Sequence, residues 1–226
     1  MRRLTRYHCE FNQILETFDF SEYNAFHQAY PRIYHGTDKL GRPIYIERLG
    51  KIDHSKLSII TTPERMIRYH IYEYEKLIRY RFKACSAKAA VNIEQSTTIL
   101  DLSGVSLSAF SSVVTLIRQI SAIAQDYYPE VMGKMYILNA PMLFSAVWSL
   151  ISPLLNAVTV SKISILGSSY KSNVLELINE GMLPDFLGGT VKHPTWIGVD
   201  SGPWNDGLTP GFPIEALEKA PIKSLK

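Results

Sequence analysis

Between Lys134 and Lys162 the chain carries no charged residue, although 20% of its residues are charged. A membrane span needs ~20 consecutive apolar residues. Pro141 and Pro153 divide this run, and Asn139 and Asn156 lie beside the cuts. Proline is tolerated just inside a helix start and breaks a helix further in. The pattern therefore predicts a strand over Met135–Leu138, a helix over Pro141–Ser152, a turn, and a strand over Val160–Leu166. On the helix, Ser145, Ser149 and Ser152 fall on one narrow face. Met142, Leu143, Phe144, Val147, Trp148, Leu150 and Ile151 surround that stripe. A helix apolar nearly all round must be hidden from water on more than one side. It either crosses a core or lies between a cavity and a membrane.

The rest of the chain punctuates itself more conventionally. Leu4, Tyr7, Phe11, Ile14, Leu15 and Phe18 approximate a helical stripe. Ser21 is placed to cap a short helix bearing Tyr23, Phe26 and Tyr30, which Pro31 would stop. Ile33–His35 and Pro43–Arg48 flank TDKLGR, where Asp38 can start a turn and Gly41 can take a left-handed conformation, predicting a hairpin. Tyr34 and Tyr45 lie one on each arm. Thr62-Pro63-Glu64 announces a helix by a capping hydroxyl, a proline at the first helical position and an acid in the first turn. Its apolar side runs through Met66, Ile67, Ile71, Tyr74, Leu77, Ile78 and Phe82. Arg65, Arg68, Glu73, Lys76, Arg79 and Arg81 read as a solvated face. Ser96–Leu102 suits a buried strand ended by Gly104, and a helix is expected from about Ala109 to Asp126. A last helix over Tyr170–Asn179 would be closed by Gly181. Alternating strands and helices predict a parallel sheet with right-handed crossovers. The Gly- and Pro-rich tail from Val191, with Trp196 and Trp204, is expected to wrap the surface.

Composition narrows the function. At 226 residues the chain is one large domain, or one domain with appendages, and it is 46% hydrophobic. A net charge of +3 is too mild to argue for nucleic acid, though it suits an anionic lipid surface. Thirteen tyrosines favour a boundary between an apolar site and water. Cys9 and Cys85 offer no zinc spacing and read as free thiols of a cytosolic protein. The N-terminal basic residues are not followed by the apolar core of a secretory signal. Gly167–Ser172 (GSSYKS) lacks the spacing of a phosphate loop, and no G-x-S-x-G nucleophile elbow is present. No His–Glu pair suggests a metal site. Asp101, at a strand end, could be a catalytic acid but more often caps the next turn. A sheet, a greasy helix and no catalytic constellation point to binding.

Several separated stretches carry a resemblance: YPRIYHGTDKLGRPIYIERLG, the Thr62–Ser86 helix ending YRFKACS, TTILDLSGVS, QDYYPEVMGKMYILNAP, VTVSKISILGSSY and LPDFLGG. Together they resemble the CRAL-TRIO lipid-binding family, and within it the fungal phosphatidylinositol/phosphatidylcholine transfer proteins that serve Golgi secretion. The resemblance implies an α/β fold: a mixed, mainly parallel sheet flooring an apolar lipid pocket, helices around it, and a gating helix at about 141–152. Pro141, Phe144, Trp148, Ile151 and Pro153 would belong to that gate, the prolines as limits of a moving lid. Residues 1–30 would be a helical lead-in, the remnant of a helical module that precedes the domain in the family. Residues 31–190 would be the lipid-binding domain and residues 191–226 a surface tail.

The resemblance also assigns headgroup positions. Glu130 and Lys162, with Thr159, match the positions that recognise phosphatidylinositol: a carboxylate accepts from ring hydroxyls and an ammonium meets phosphate. Tyr34, Tyr45, Ser96 and Thr98 match those for phosphatidylcholine, whose quaternary ammonium prefers aromatic faces. Ser96 and Thr98, two apart on a strand, share a face. Extracting a phospholipid exposes about thirty CH₂ groups, ~25 kcal/mol at ~0.8 kcal/mol each. A dry cavity near ~1,000 Å³ would cost ~20 kcal/mol. The expectation is therefore no cofactor, a pocket occupied by phospholipid at rest, and exchange of one lipid for another. The protein would be no enzyme. It would be cytoplasmic, peripheral on Golgi or endosomal membranes, and would present phosphatidylinositol to lipid kinases. The alternatives are a carrier of another hydrophobe, such as a sterol or tocopherol-like molecule, a small hydrolase using Ser168 or Ser169, and a protein-interaction module.

Overall fold

The computed structural model describes residues 13–105 and 120–207. Its centre is a six-stranded sheet: β1 (Arg32–Thr37), β2 (Pro43–Arg48), β3 (Ser96–Asp101), β4 (Met132–Leu138), β5 (Ile163–Ile165) and β6 (Asp200–Ser201), in the order β5-β4-β3-β2-β1-β6. Only the β1–β2 hairpin is antiparallel, and every other pairing is parallel. This is the mixed, mainly parallel sheet expected. The hairpin forms as its turn chemistry dictates: the Asp38 carboxylate accepts the backbone N–H groups of Leu40 and Arg42, and Gly41 sits at φ 80°.

The sheet has two unlike faces because side chains alternate along each strand. Ile33, Ile44, Ile46, Ile99, Tyr136 and Leu138 point to one side and pack against Tyr170, Val174, Ile178, Leu183 and Leu187. Tyr34, Tyr45, Glu47, Thr98, Met135 and Ile137 point to the other, where a large cavity lies. In register, Tyr34, Tyr45, Thr98, Met135 and Ile163 form one row across five strands, tyrosine at one end and aliphatic at the other.

The helices around the sheet are α1 (Tyr23–Ala29), α2 (His54–Ile60), α3 (Pro63–Lys76), α4 (Phe82–Ala89), α5 (Phe144–Ile151), α6 (Ala157–Ser161) and α7 (Lys171–Leu177), with helical residues also at 13–17 and 120–127. Thr62 accepts from the Arg65 N–H and Pro63 opens α3, as predicted. Between α3 and α4 the chain makes one π turn over Leu77–Arg81, in which the Phe82 N–H reaches back to Leu77. No helix among the described residues is long and apolar enough to cross a membrane.

Several expectations are corrected. The hydroxyl of Ser21 does not cap α1, whose N-cap is Glu22. Helix α2 was not anticipated; it is started by Asp53, whose side chain accepts from the Lys56 N–H. The strand expected over Val160–Leu166 is present as the shorter β5, while its first two positions belong to α6. Asn156 accepts from the Thr159 N–H and starts a helical turn where β-branched residues suggested a strand, so the cap overrides propensity. Helix α5 starts at Phe144 rather than Pro141, because residues 141–143 form a turn closed by the Phe144 N–H on Pro141 O. Helix α7 ends at Leu177, and Gly181 lies inside a separate 3-10 turn, so it closes nothing. The tail does not simply wrap the surface: it adds β6 to the sheet edge, and Trp196 and Trp204 are buried. The solvated face assigned to the Thr62 helix is wrong in part, since Glu73, Lys76 and Arg81 are 9%, 4% and 0% exposed. Cys85 is a buried free thiol. Cys9, the stripe positions before residue 13, and the 109–119 part of the expected helix lie outside the described residues.

Candidate functional site

The cavity has a volume of about 660 Å³ and lies between the sheet, α3 and α5. Its apolar part is built by Leu100, Met135, Ile137 and Ile163 from the sheet, and by Phe144, Val147, Trp148 and Ile151 from α5. Helix α5 is apolar on two sides for two reasons. Phe144 and Ile151 are buried at 5% and 4%, facing in, while Met142 in the preceding turn, with Leu143 and Leu150, faces out at 97%, 58% and 66%. Of the serine stripe, Ser145 and Ser149 are exposed, and Ser152 is half-buried in the turn after the helix. Ser145 and Ser149 donate to the carbonyls of Met142 and Ala146, three residues back, so their hydroxyls are satisfied within the helix. Pro141 and Pro153 flank the helix without lining the cavity.

At the rim, Glu130 and Lys162 face one another. Their side chains meet at 2.7 Å, with the lysine 20% and the glutamate 70% exposed. Glu130 occupies the turn into β4 with φ 63°, a left-handed conformation uncommon for a residue with a Cβ. Lys162 ends α6. Thr159, one turn earlier on α6, also lines the cavity. The three residues expected at an inositol headgroup are therefore gathered at one place, 32 residues of chain separating the ion pair.

Another part of the lining is polar and aromatic. Tyr34 and Tyr45 stand side by side with ring centres 4.7 Å apart, and Ser96 and Thr98 line the same cavity. Burial, foremost, pushes both phenols well above the usual tyrosine range, which keeps them as neutral donors. The Tyr45 hydroxyl donates to Glu47, which also accepts from Tyr30 at 3.0 Å and pairs with Arg32 at 3.1 Å. The Ser96 hydroxyl donates to Val131 O at 3.4 Å. His70 lines this wall as well; burial first, and Arg32 second, bring it down to about 4, so the imidazole is neutral near pH 7.

Sequence reasoning missed the titratable members of this wall, Glu47, Glu73 and His70. Glu47 was accessible to it, because it lies two residues after Tyr45 and so on the same face. Asp101 caps its own turn: its carboxylate accepts the Ser103 N–H and the Asn139 side-chain N–H. Ser168 and Ser169 are exposed in the loop after β5. Among the described residues, no group of His, Cys, Asp and Glu could hold a metal ion.

With this geometry in hand, comparison with known proteins is informative. The family model described as the CRAL/TRIO domain matches residues 27–189. A protein named Sec14 cytosolic factor, from Schizosaccharomyces pombe, is 50% identical over 196 residues, 86% of this chain and 68% of the relative. The phosphatidylinositol/phosphatidylcholine transfer protein SFH4 of Arabidopsis thaliana is 46% identical over 85% of this chain, which spans only 32% of that protein. The SEC14 cytosolic factor of Candida glabrata is 43% identical over 94% of this chain and 72% of its own length. A crystal structure of Sfh5 shares the fold, with a TM-score of 0.65 at 18% identity over 86% of this chain and 65% of that one.

Proposed function

This chain belongs to the CRAL/TRIO domain family, and we propose that it is a phospholipid transfer protein that binds one phosphatidylinositol or phosphatidylcholine in its cavity and exchanges it at membranes. The observation that carries this reading is one cavity of about 660 Å³ with an apolar middle, a Glu130–Lys162 pair at its rim and a tyrosine–hydroxyl wall. Left dry and unfilled, such a volume would cost about 16 kcal/mol at ~24 cal/mol per Å³. That exceeds the ~5–15 kcal/mol that stabilises a whole domain. An apolar occupant offsets it, so the protein moves between lipid-bound states by exchange.

In this mechanism the acyl chains lie along Leu100, Met135, Ile137 and α5. Phosphatidylinositol presents its headgroup at the rim, where ring hydroxyls donate to Glu130, phosphate meets Lys162, and Thr159 adds a hydroxyl. The headgroup replaces the mutual contact of the ion pair. Phosphatidylcholine places its phosphate against Ser96 and Thr98 and its ammonium against Tyr34 and Tyr45. Helix α5 is the gate, with Phe144, Trp148 and Ile151 on the lipid and Pro141 and Pro153 bounding its movement. Its outer residues Met142, Leu143 and Leu150 meet the membrane interface transiently. The protein performs no catalysis of its own. It works in the cytoplasm, peripherally on Golgi or endosomal membranes, supplying phosphatidylinositol to lipid kinases and supporting vesicle traffic.

Mass spectrometry of organic extracts from natively purified protein tests the reading. Phosphatidylinositol and phosphatidylcholine at about one lipid per chain are expected. A sterol or another neutral hydrophobe in their place, or a stably folded protein free of lipid and detergent, would overturn it.

A further inference from the structure

Behind the tyrosine wall lies a buried charge cluster that draws on the end of the described chain. Arg81, fully buried, holds its guanidinium 3.8 Å from the centre of the Tyr34 ring. Its Nη2 donates to Glu73 at 2.9 Å and to Asp200 at 2.6 Å. Lys76 reaches the same two carboxylates at 3.3 and 3.8 Å. Two cations therefore face two anions. Asp200 is also the β6 residue in register with Tyr34, so it extends that row across the sheet by one strand, behind the cavity. The Trp204 indole N–H donates to Asp200 at 2.7 Å, and its ring stands edge-on to Tyr34 at 6.2 Å. The free space on this side of Tyr34 is about 10 Å³, at the threshold for a single water, so the ring has no room to retreat. Asp200 and Trp204 lie beyond residues 27–189, the part that matches the family model.

A cation on one face of an aromatic ring weakens the attraction of the other face for a second cation, because both draw on the same quadrupole. Arg81 is harmless to a quaternary ammonium in the cavity only while Glu73 and Asp200 offset its charge. We propose that Asp200 is a positioning residue which, with Trp204, neutralises and orients Arg81 behind Tyr34 and so tunes the cavity for a choline headgroup. The role of the cavity as a phosphatidylcholine site rests on the function proposed above. The segment after the family domain thus takes part in lipid choice. A headgroup at the exposed Glu130–Lys162 rim is insensitive to it.

The charge-specific variant is Asp200→Asn, which keeps an acceptor for the Trp204 indole, with Asp200→Glu as the charge-restoring control. Vesicle-to-vesicle exchange of phosphatidylcholine and phosphatidylinositol is measured on both, alongside the ¹⁹F resonance of 3-fluorotyrosine placed at position 34. Asp200→Asn is expected to lower phosphatidylcholine exchange about tenfold, hold phosphatidylinositol exchange within twofold, and shift the fluorine signal. Asp200→Glu is expected to recover phosphatidylcholine exchange to within threefold of the parent. Equal loss for both lipids, or no loss for either, overturns the proposal. Should the parent exchange neither lipid, the transfer reading fails by itself and the fluorine signal decides this proposal: a shift supports the positioning and an unchanged signal overturns it. Should Asp200→Asn not fold, Trp204→Phe removes the indole donor and keeps an aromatic, though smaller, ring. A shifted signal with a selective loss of phosphatidylcholine exchange of about threefold supports the proposal there, and neither overturns it.

Discussion

The Glu130 carboxylate lies 2.7 Å from the Lys162 ammonium, tying the start of β4 to the end of α6 across the rim of the cavity. With the glutamate 70% exposed, the pair is largely solvated, and such pairs contribute ~0–1 kcal/mol to stability. The combination Glu130→Ala with Lys162→Ala should therefore leave the melting temperature within a few degrees. It should abolish phosphatidylinositol transfer between vesicles and spare phosphatidylcholine transfer. Equal loss of both activities would count against the rim as the inositol site.

The tyrosine–hydroxyl wall makes the reverse prediction. Hydrogen bonds to a charged phosphate contribute ~1.5–3 kcal/mol each. Replacing Ser96 by Ala and Thr98 by Val removes two hydroxyls from the cavity with little change of shape. Phosphatidylcholine transfer should fall by about tenfold or more while phosphatidylinositol transfer persists, as read in the same vesicle assay with each labelled lipid in turn.

The outer side of α5 can be altered without touching the cavity. Met142 and Leu150 are 97% and 66% exposed, so Met142→Glu with Leu150→Glu should change stability by no more than ~0.5 kcal/mol per site. Each lost apolar insertion weakens membrane contact by ~1.5–3 kcal/mol. Cosedimentation with vesicles should fall at least tenfold, while lipid already bound stays in the protein. Unchanged vesicle binding would remove α5 from the membrane-facing surface.

Acid sensitivity should set in near pH 6.5. His27 is 4% exposed, and its Nε2 lies 2.8 Å from the Tyr69 hydroxyl. Burial first, and Arg32 second, lower its imidazole from 6.5 to about 3. Between those values the unfolded chain binds a proton that the folded chain refuses. The stability from keeping this histidine neutral is whole above pH 6.5 and falls by ~1.4 kcal/mol per pH unit below it. Urea unfolding from pH 7.5 to 4.5 should show that slope reduced by about one proton in His27→Gln. Identical slopes in the two proteins would place the acid sensitivity elsewhere.

Much of the site was readable because its signals are local. Turn chemistry at Asp38 and Gly41 fixes the hairpin that pairs Tyr34 with Tyr45, and period-two alternation puts Ser96 and Thr98 on one face, although their assignment to a headgroup came from family resemblance. The matching of Glu130 with Lys162 came from family resemblance, since nothing in the spacing of two charges says that they meet. Local reading failed at α6, where one Asn156 cap outweighed three β-prone residues. It failed again at α2, where Asp53 was passed over.

The charged face of α3 is the sharper lesson. Arg81 lies four residues after Leu77 and seven after Tyr74, on the inward side of the helix, and the π turn over Leu77–Arg81 helps carry it there. Its charge nevertheless argued for water. Burying a guanidinium is costly unless carboxylates meet it, and one of its two partners, Asp200, stands 119 residues further along the chain. The sequence alone determined the Asp38–Gly41 hairpin, the β3 strand and the start of α3, because backbone hydrogen bonding and side-chain alternation act over a few residues. Only the tertiary structure decided which charges are buried, because that depends on counter-charges delivered by the arrangement of the sheet. It also made the uncharged run before Lys162 one wall of a cavity, with Glu130 and Lys162 brought together at its rim.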